Sequence, residues 1–367
     1  MPLELHWFLP SHGDGRDLAE RRRGGTPAET GPTRITRRKP ELSYLAQVAR
    51  AADDLGFRSV LTPFGMFCED PWLVASALAA STRRLAFMIA LRPGLTAPTL
   101  VAQMAATFQR ISGNRLLFNI VAGGDADEQR RYGDWLEHDA RYARAEEFLT
   151  VLSGLWGGGP VDFEGDHYKV KAGLLARPPA VAPPVFLGGS SAAAQHAAVR
   201  LADVYLAWGE PPPLLAELLE QVRRQAKEYG RTVSLGTRLH VISRDTAAEA
   251  WAEADSLVRG LDPETIAAAQ RRFARSESEG QRRMAGLHRG AADRLEVYPN
   301  VWAGYGLARP GAGVALVGSH EEVAERIAEY HAIGVDHLIL SGQPHLEEAY
   351  WLGEGVLPIL RRQGLVG

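Results

Sequence analysis

Short apolar runs of β type alternate with longer segments of helical period from one end of this chain to the other, and that alternation constrains the fold more than any other feature. A strand that returns after each helix runs parallel to the one before it, and a parallel sheet is buried on both faces. Eight runs qualify as strands: residues 4–9, 59–62, 85–91, 115–121, 184–187, 204–208, 235–242 and 337–340. Between them, segments such as 42–55, 98–110, 140–155 and 213–229 carry apolar residues at spacings of three and four. Eight strands with intervening helices predict an α/β fold, a closed (β/α)8 TIM barrel, in preference to an open doubly wound sheet. The 367 residues read as one barrel domain, with insertions at 16–40, at a hairpin over 161–170 and at 243–313.

Composition narrows the function. Hydrophobic residues make up 46% and charged residues 23%, the balance of a globular chain with a large core, and the net charge of -3 supplies no field for nucleic acid or an anionic membrane. A small molecule is the expected partner. The one cysteine, Cys68, allows no internal disulfide and suits a reducing cytoplasm, and no leader-like start or run of about 18 apolar residues points to export or membrane insertion. The eleven histidines show no metal-binding spacing, so no metal is expected.

In a barrel of this type, residues just after a strand line the active mouth. The strand ends here hold Ser11 and His12, Cys68 to Asp70, Arg92, Asn119 with Ala122-Gly123-Gly124, Gly188-Gly189-Ser190-Ser191, Trp208, the pair Arg238 and His240, and Ser341 to His345. The Gly188-Gly189-Ser190-Ser191 turn leads into a helix and offers backbone N–H groups and hydroxyls to a phosphate, although the same sequence also makes an ordinary N-cap. Neither a Rossmann nor a P-loop glycine pattern occurs. Arg238 and His240 lie two apart in one strand and share a face, where a guanidinium suits a sulfonate, phosphate or carboxylate. The glycine-rich stretch 301–314 around Arg309 has the composition of a flexible lid, and the arginines of 16–40 form either an anion-attracting rim or a solvated loop.

Taken in order, Trp7 to Gly15, Cys68-Glu69-Asp70, Gly188 to Ser191, Trp208 to Pro212, Arg238 to Ile242, Ala312 to Gly318 and Pro344 to Tyr350 resemble the two-component alkanesulfonate monooxygenases of the bacterial luciferase-like superfamily. The resemblance implies a barrel that holds reduced FMN delivered by an NAD(P)H-dependent FMN reductase. With O2 it would cleave the C–S bond of an alkanesulfonate to aldehyde and sulfite, in sulfur metabolism, as a homodimer or homotetramer. It assigns Arg238, His240, His345 and Arg309 to catalysis and His12, Cys68, Trp208 and Gln343 to the substrate. Ser190 and Ser191, with Gly188 and Gly189, would hold the FMN phosphate, and Asn119 and Tyr142 would lie along the flavin.

Three features depart from that pattern. Gln343 stands where the family has a tyrosine, Gly65-Met66-Phe67 replaces a Gly-Arg-Ser run before Cys68, and 16–40 is longer and more basic. In addition, Trp135 to Tyr142 is similar to the dimethyl sulfone monooxygenase branch. A sulfone, methanesulfonate or another small organic substrate, a deazaflavin in place of FMN, or a non-catalytic flavin-binding role are therefore the competing expectations.

Overall fold

The computed structural model describes residues 2–16, 18, 38–292 and 294–367. Most of the basic 16–40 insertion, including Arg21, Arg22, Arg23, Arg34 and Arg37, lies outside the described residues. Eight parallel strands close on themselves: β1 (Glu4–Phe8), β2 (Ser59–Thr62), β3 (Ala86–Leu91), β4 (Leu116–Ile120), β5 (Val185–Gly188), β6 (Val204–Trp208), β7 (Ser234–Arg244) and β8 (His337–Ser341). β8 pairs with β1 in register Glu4 to His337, which seals the barrel. All eight expected strands are present, and the closed barrel replaces the open sheet.

The alternation of side chains sorts the strands into an inside and an outside. Phe8, Leu61, Met88, Leu117, Phe186, Leu206 and Ile339 pack together in the lumen. Their neighbours Trp7, Val60, Phe87, Phe118, Leu187, Tyr205 and Leu338 pack outward against the helices. Most strands are thus apolar on both faces and read as continuous runs, whereas β1 and β7 turn Glu4, His6, Arg238 and His240 to the lumen. On β3 all six residues are buried.

The helix Leu42–Leu55 ends where Gly56 turns left-handed at φ 91° and returns an N–H to Ala52, and the helix Pro71–Ala79 starts where Asp70 accepts the N–H of Leu73. The hairpin expected over 161–170 forms from Val161–Glu164 and Lys169–Gly173, antiparallel. The 243–313 region holds the helices Ala247–Val258, Pro263–Phe273 and Glu279–His288 and two short strands. A strand not anticipated in the sequence, Ala315–Ser319, pairs in parallel with the last five residues of β7. β7 is eleven residues long, so it serves β8 with its first half and this added strand with its second. Among the described residues no helix is long and apolar enough to cross a membrane.

Candidate active site

Leu235, Leu239 and Val241 of β7 face the helices, which turns Arg238 and His240 into the lumen at the carboxyl end. The register places Trp208 and Ile339 beside Arg238 and Ser341 beside His240. Asn119 of β4 and Gly188 of β5 share the inward parity of Leu117 and Phe186. Strand geometry therefore brings Asn119, Gly188, Trp208, Arg238 and His240 to one mouth.

The Arg238 guanidinium lies 4.3 Å over the Phe8 ring and remains partly accessible, while its Nε is sealed without a partner. No carboxylate lies within ion-pair distance of Arg238 among the described residues. Burial lowers its pKa to about 10, with Cys68 opposing. Arg309 sits 5.6 Å over Tyr305, donates to Gln343 Oε1 at 2.9 Å and is likewise lowered to about 10, by burial above all and further by Arg238, with Tyr305 and Asp14 opposing. Guanidinium groups stay protonated at any working pH, so both charges sit in poorly solvated positions that a bound anion would relieve.

Both ring nitrogens of His240 are engaged. Nε2 faces the Ala312 carbonyl at 3.1 Å and so carries the proton, and Nδ1 accepts from the Ser341 hydroxyl at 2.8 Å. The ring stacks on Tyr305 with centroids 3.9 Å apart. Burial, then Arg309, Arg238 and His345, hold its pKa well below the ordinary histidine value. His240 is a neutral pillar between β8 and the segment bearing Arg309. That segment was expected as a mobile lid, but Gly304–Leu307 forms a buried turn, and only residues 309–311 of the stretch 304–314 keep contact with solvent.

His345 is buried beneath Phe8, ring centroids 5.6 Å apart, and its Nδ1 donates to Asp14 Oδ1 at 2.9 Å while its backbone N–H donates to Asp14 Oδ2 at 2.7 Å. Tyr44 also donates to this carboxylate, and Arg38 joins Tyr44 to Glu347. Burial pushes the Asp14 carboxyl up, but His345 and Tyr44 outweigh it and hold it well below the usual range. Arg38 is thus tied into a network and is no part of a free basic rim. Gln343 is buried and bridges Arg309 and the Gly15 carbonyl at 3.4 Å, so the residue that departs from the family pattern orients a site cation. His12 packs edge-on between Phe8 at 6.0 Å and Phe67 at 6.1 Å, and Cys68 is partly exposed nearby, coupled to Arg238. Trp208 approaches Gly280 so closely that a β-carbon there would meet its ring at 3.0 Å.

At the opposite side of the mouth, the carbonyls of Gly188, Gly189 and Ser190 accept hydrogen bonds from Tyr142 at 3.3 Å, Tyr205 at 2.9 Å and Gln195 at 3.1 Å. Fixing these carbonyls turns the N–H groups of Ser190 and Ser191 the other way, and neither has a protein acceptor among the described residues. Ser191 caps the helix Ala192–Leu201, and Gly189, at φ 140°, leaves room for the Tyr142 hydroxyl, which an added β-carbon would meet at 2.5 Å. Free amides, two hydroxyls and a helix N-terminus form a cradle that fits a phosphate.

Residues 3–337 match the luciferase-like monooxygenase family. The chain belongs to that family. Solved structures share its fold: the riboflavin lyase RcaE, with modified FMN and its substrate riboflavin, at TM-score 0.81 and 21% identity over 100% of this chain and 93% of that one. The EDTA monooxygenase EmoA from Chelativorans sp. BNC1 follows at 0.78 and 21%, covering 100% and 95%. The long-chain alkane monooxygenase LadA gives 0.78 and 18%, covering 100% and 93%.

In this luciferase-like monooxygenase the structure gives contacts to Arg92, a strand-end residue to which the sequence assigned no role, and adds Arg141 and Asp14, which it did not single out. Arg92, after β3, is 4% exposed between the rings of Phe64 and Tyr132, donates to Glu128 at 2.8 Å and has Nε and Nη1 unpartnered. Its place at a strand end was the available signal. Arg141 is buried and donates to the carbonyls of Ala122 at 3.1 Å, Gly123 at 3.0 Å and Leu136 at 2.6 Å, fixing the turn after β4, and Asp14 orients His345.

Proposed function

We propose that this luciferase-like monooxygenase uses reduced FMN, received from a separate NAD(P)H-dependent reductase, and O2 to oxidise alkanesulfonates to aldehyde and sulfite. The observation that carries the reading is the pair Arg238 and Arg309, two desolvated guanidinium groups at the mouth with no carboxylate in ion-pair contact among the described residues. A sulfonate is anionic at every cellular pH and accepts from two guanidiniums without any change of protonation. From Arg238 a wall of rings, Phe8, His12 and Phe67, runs outward and suits the alkyl part of such an anion.

The Ser190 and Ser191 cradle would hold the FMN phosphate, and Asn119 and Tyr142 would contact the rest of the flavin. Bound FMN supplies the activation of oxygen. Arg238 and Arg309 would fix the anionic end of the substrate, and the buried turn Gly304–Leu307 limits water on that side. His345, its Nδ1 proton fixed by Asp14, is the group that exchanges a proton through Nε2, while His240 holds Arg309 in position.

Sulfite release from a panel of short and long alkanesulfonates, with reduced FMN and oxygen, tests the reading. Sulfite from at least one of them is expected. Oxygenation of a sulfone with no sulfite from any sulfonate would keep the enzyme class and overturn the substrate.

A further inference from the structure

The lumen has a second polar layer at the opposite end from the mouth. Glu4 and His6 of β1 and His337 of β8 point inward there, below Phe186, whose ring meets both imidazoles edge-on at 5.7 and 5.1 Å. His6 is fully buried. Its Nε2 faces His337 Nδ1 at 3.2 Å, and Glu4 Oε2 lies 3.5 Å from the same His337 nitrogen. All three ligand atoms fall within 4.8 Å of one another.

We infer that Glu4, His6 and His337 form a binding site for a divalent transition-metal cation such as Zn2+ at the amino-terminal end of the barrel. Two nitrogens bound to one tetrahedral zinc at about 2.0–2.1 Å stand roughly 3.3–3.4 Å apart, close to the separations seen here. Two imidazoles with one carboxylate is a donor set that zinc, cobalt and nickel favour, with water completing the shell. The second layer fits as well: Ser59 Oγ sits 2.7 Å from His6 Nδ1, so that nitrogen can donate its proton outward and leave Nε2 to the metal. In the metal-free protein one ring donates its N–H to the other, and the cation takes the place of that shared proton. Gly236 makes the space, since a β-carbon there would meet the His337 Cβ at 3.3 Å. Arg58 approaches Glu4 at 3.7 Å but is well exposed and free to leave the carboxylate to the metal. Because Glu4 and His6 lie on the first strand and His337 on the last, the cation would clasp the two strands that close the barrel.

The experiment uses tag-free full-length protein stripped with a chelator, then titrated with Zn2+ by calorimetry and with Co2+ by visible absorption. One equivalent should bind, with a tetrahedral Co2+ spectrum, and Zn2+ should raise the melting temperature. Glu4→Gln and His337→Ala should each weaken Zn2+ binding by more than about tenfold, and Ser59→Ala by roughly 10–100-fold if it orients His6. Glu4→Gln alters a half-exposed side chain and leaves the core intact, so it reads binding without a folding defect. Absence of stoichiometric binding, or affinity unchanged in both Glu4→Gln and His337→Ala, would overturn the site.

Discussion

The two ends of the barrel are built from the same materials and finished in opposite ways. At the amino-terminal end, His6, His337, Ser59 and Glu4 answer one another, and each polar atom described there has a partner close by. At the carboxyl end, Arg238 has no carboxylate counter-charge among the described residues and a buried Nε that no protein atom satisfies, and Arg92, although paired with Glu128, leaves its Nε and Nη1 unsatisfied. Burying a cation without its counter-charge is costly, and folds retain such cost where a ligand removes it. The difference separates a layer that is complete without an organic ligand from one that is completed by it.

The sharpest way to break that comparison is Arg238→Met. If the guanidinium waits for an anion, sulfonate turnover should fall by an amount on the order of 2–5 kcal/mol in kcat/KM, while the substrate-free protein gains stability of about 1–3 kcal/mol because an unpaired charge has left the lumen. Steady-state kinetics and denaturant unfolding check the two halves. Loss of stability together with unchanged turnover would make Arg238 a structural residue.

A smaller effect tests the compensated part of the same mouth. Asp14 is buried and receives hydrogen bonds from His345 and Tyr44, so Asp14→Asn should cost about 2–3 kcal/mol at neutral pH. The sign with pH follows from the depressed carboxyl. The unfolded chain takes up the Asp14 proton near pH 4 while the folded chain still resists it, so the stabilisation is present above that pH and is lost as pH falls further. The stability gap between wild type and variant should therefore narrow below about pH 4, measured by urea unfolding across pH. Next in size is Gly189→Ala, where positive φ and the crowding against Tyr142 predict a loss of about 1–2 kcal/mol and weaker binding of reduced FMN by fluorescence titration.

How much of this was legible depended on whether the signal was local. Each barrel strand buries both faces within four to eleven consecutive residues, so its run was readable without knowledge of its neighbours. That Arg238 and His240 share a face followed from the two-residue period alone; that the face is the lumen came from the packing of Leu239 and Val241 against the helices. What joins His345 to Asp14 spans 331 positions, and what stacks His240 on Tyr305 depends on a turn whose glycines read as a loose lid. The strand Ala315–Ser319 was missed because its partner is the overhang of β7, and nothing local reports that β7 continues past the barrel. Glu4, His6 and His337 show no metal spacing, since two chain ends supply them and only barrel closure brings them together.

The smallest effect concerns His240, and it sharpens the contrast because this residue combines the two kinds of finish. Its hydrogen bonds are complete, as at the amino-terminal end, yet it lies among the unpaired cations of the mouth. Burial and the charges of Arg309 and Arg238 disfavour its protonation, so in an NMR titration its ring should protonate only at a pH well below that of an ordinary exposed histidine. Removing one of those charges with Arg309→Met should move the His240 titration upward, whereas a change made at the far end, Glu4→Gln, should leave it in place. An unmoved His240 in Arg309→Met would mean that burial alone sets its charge state, and the arginines would then act on an incoming anion without tuning the histidine between them.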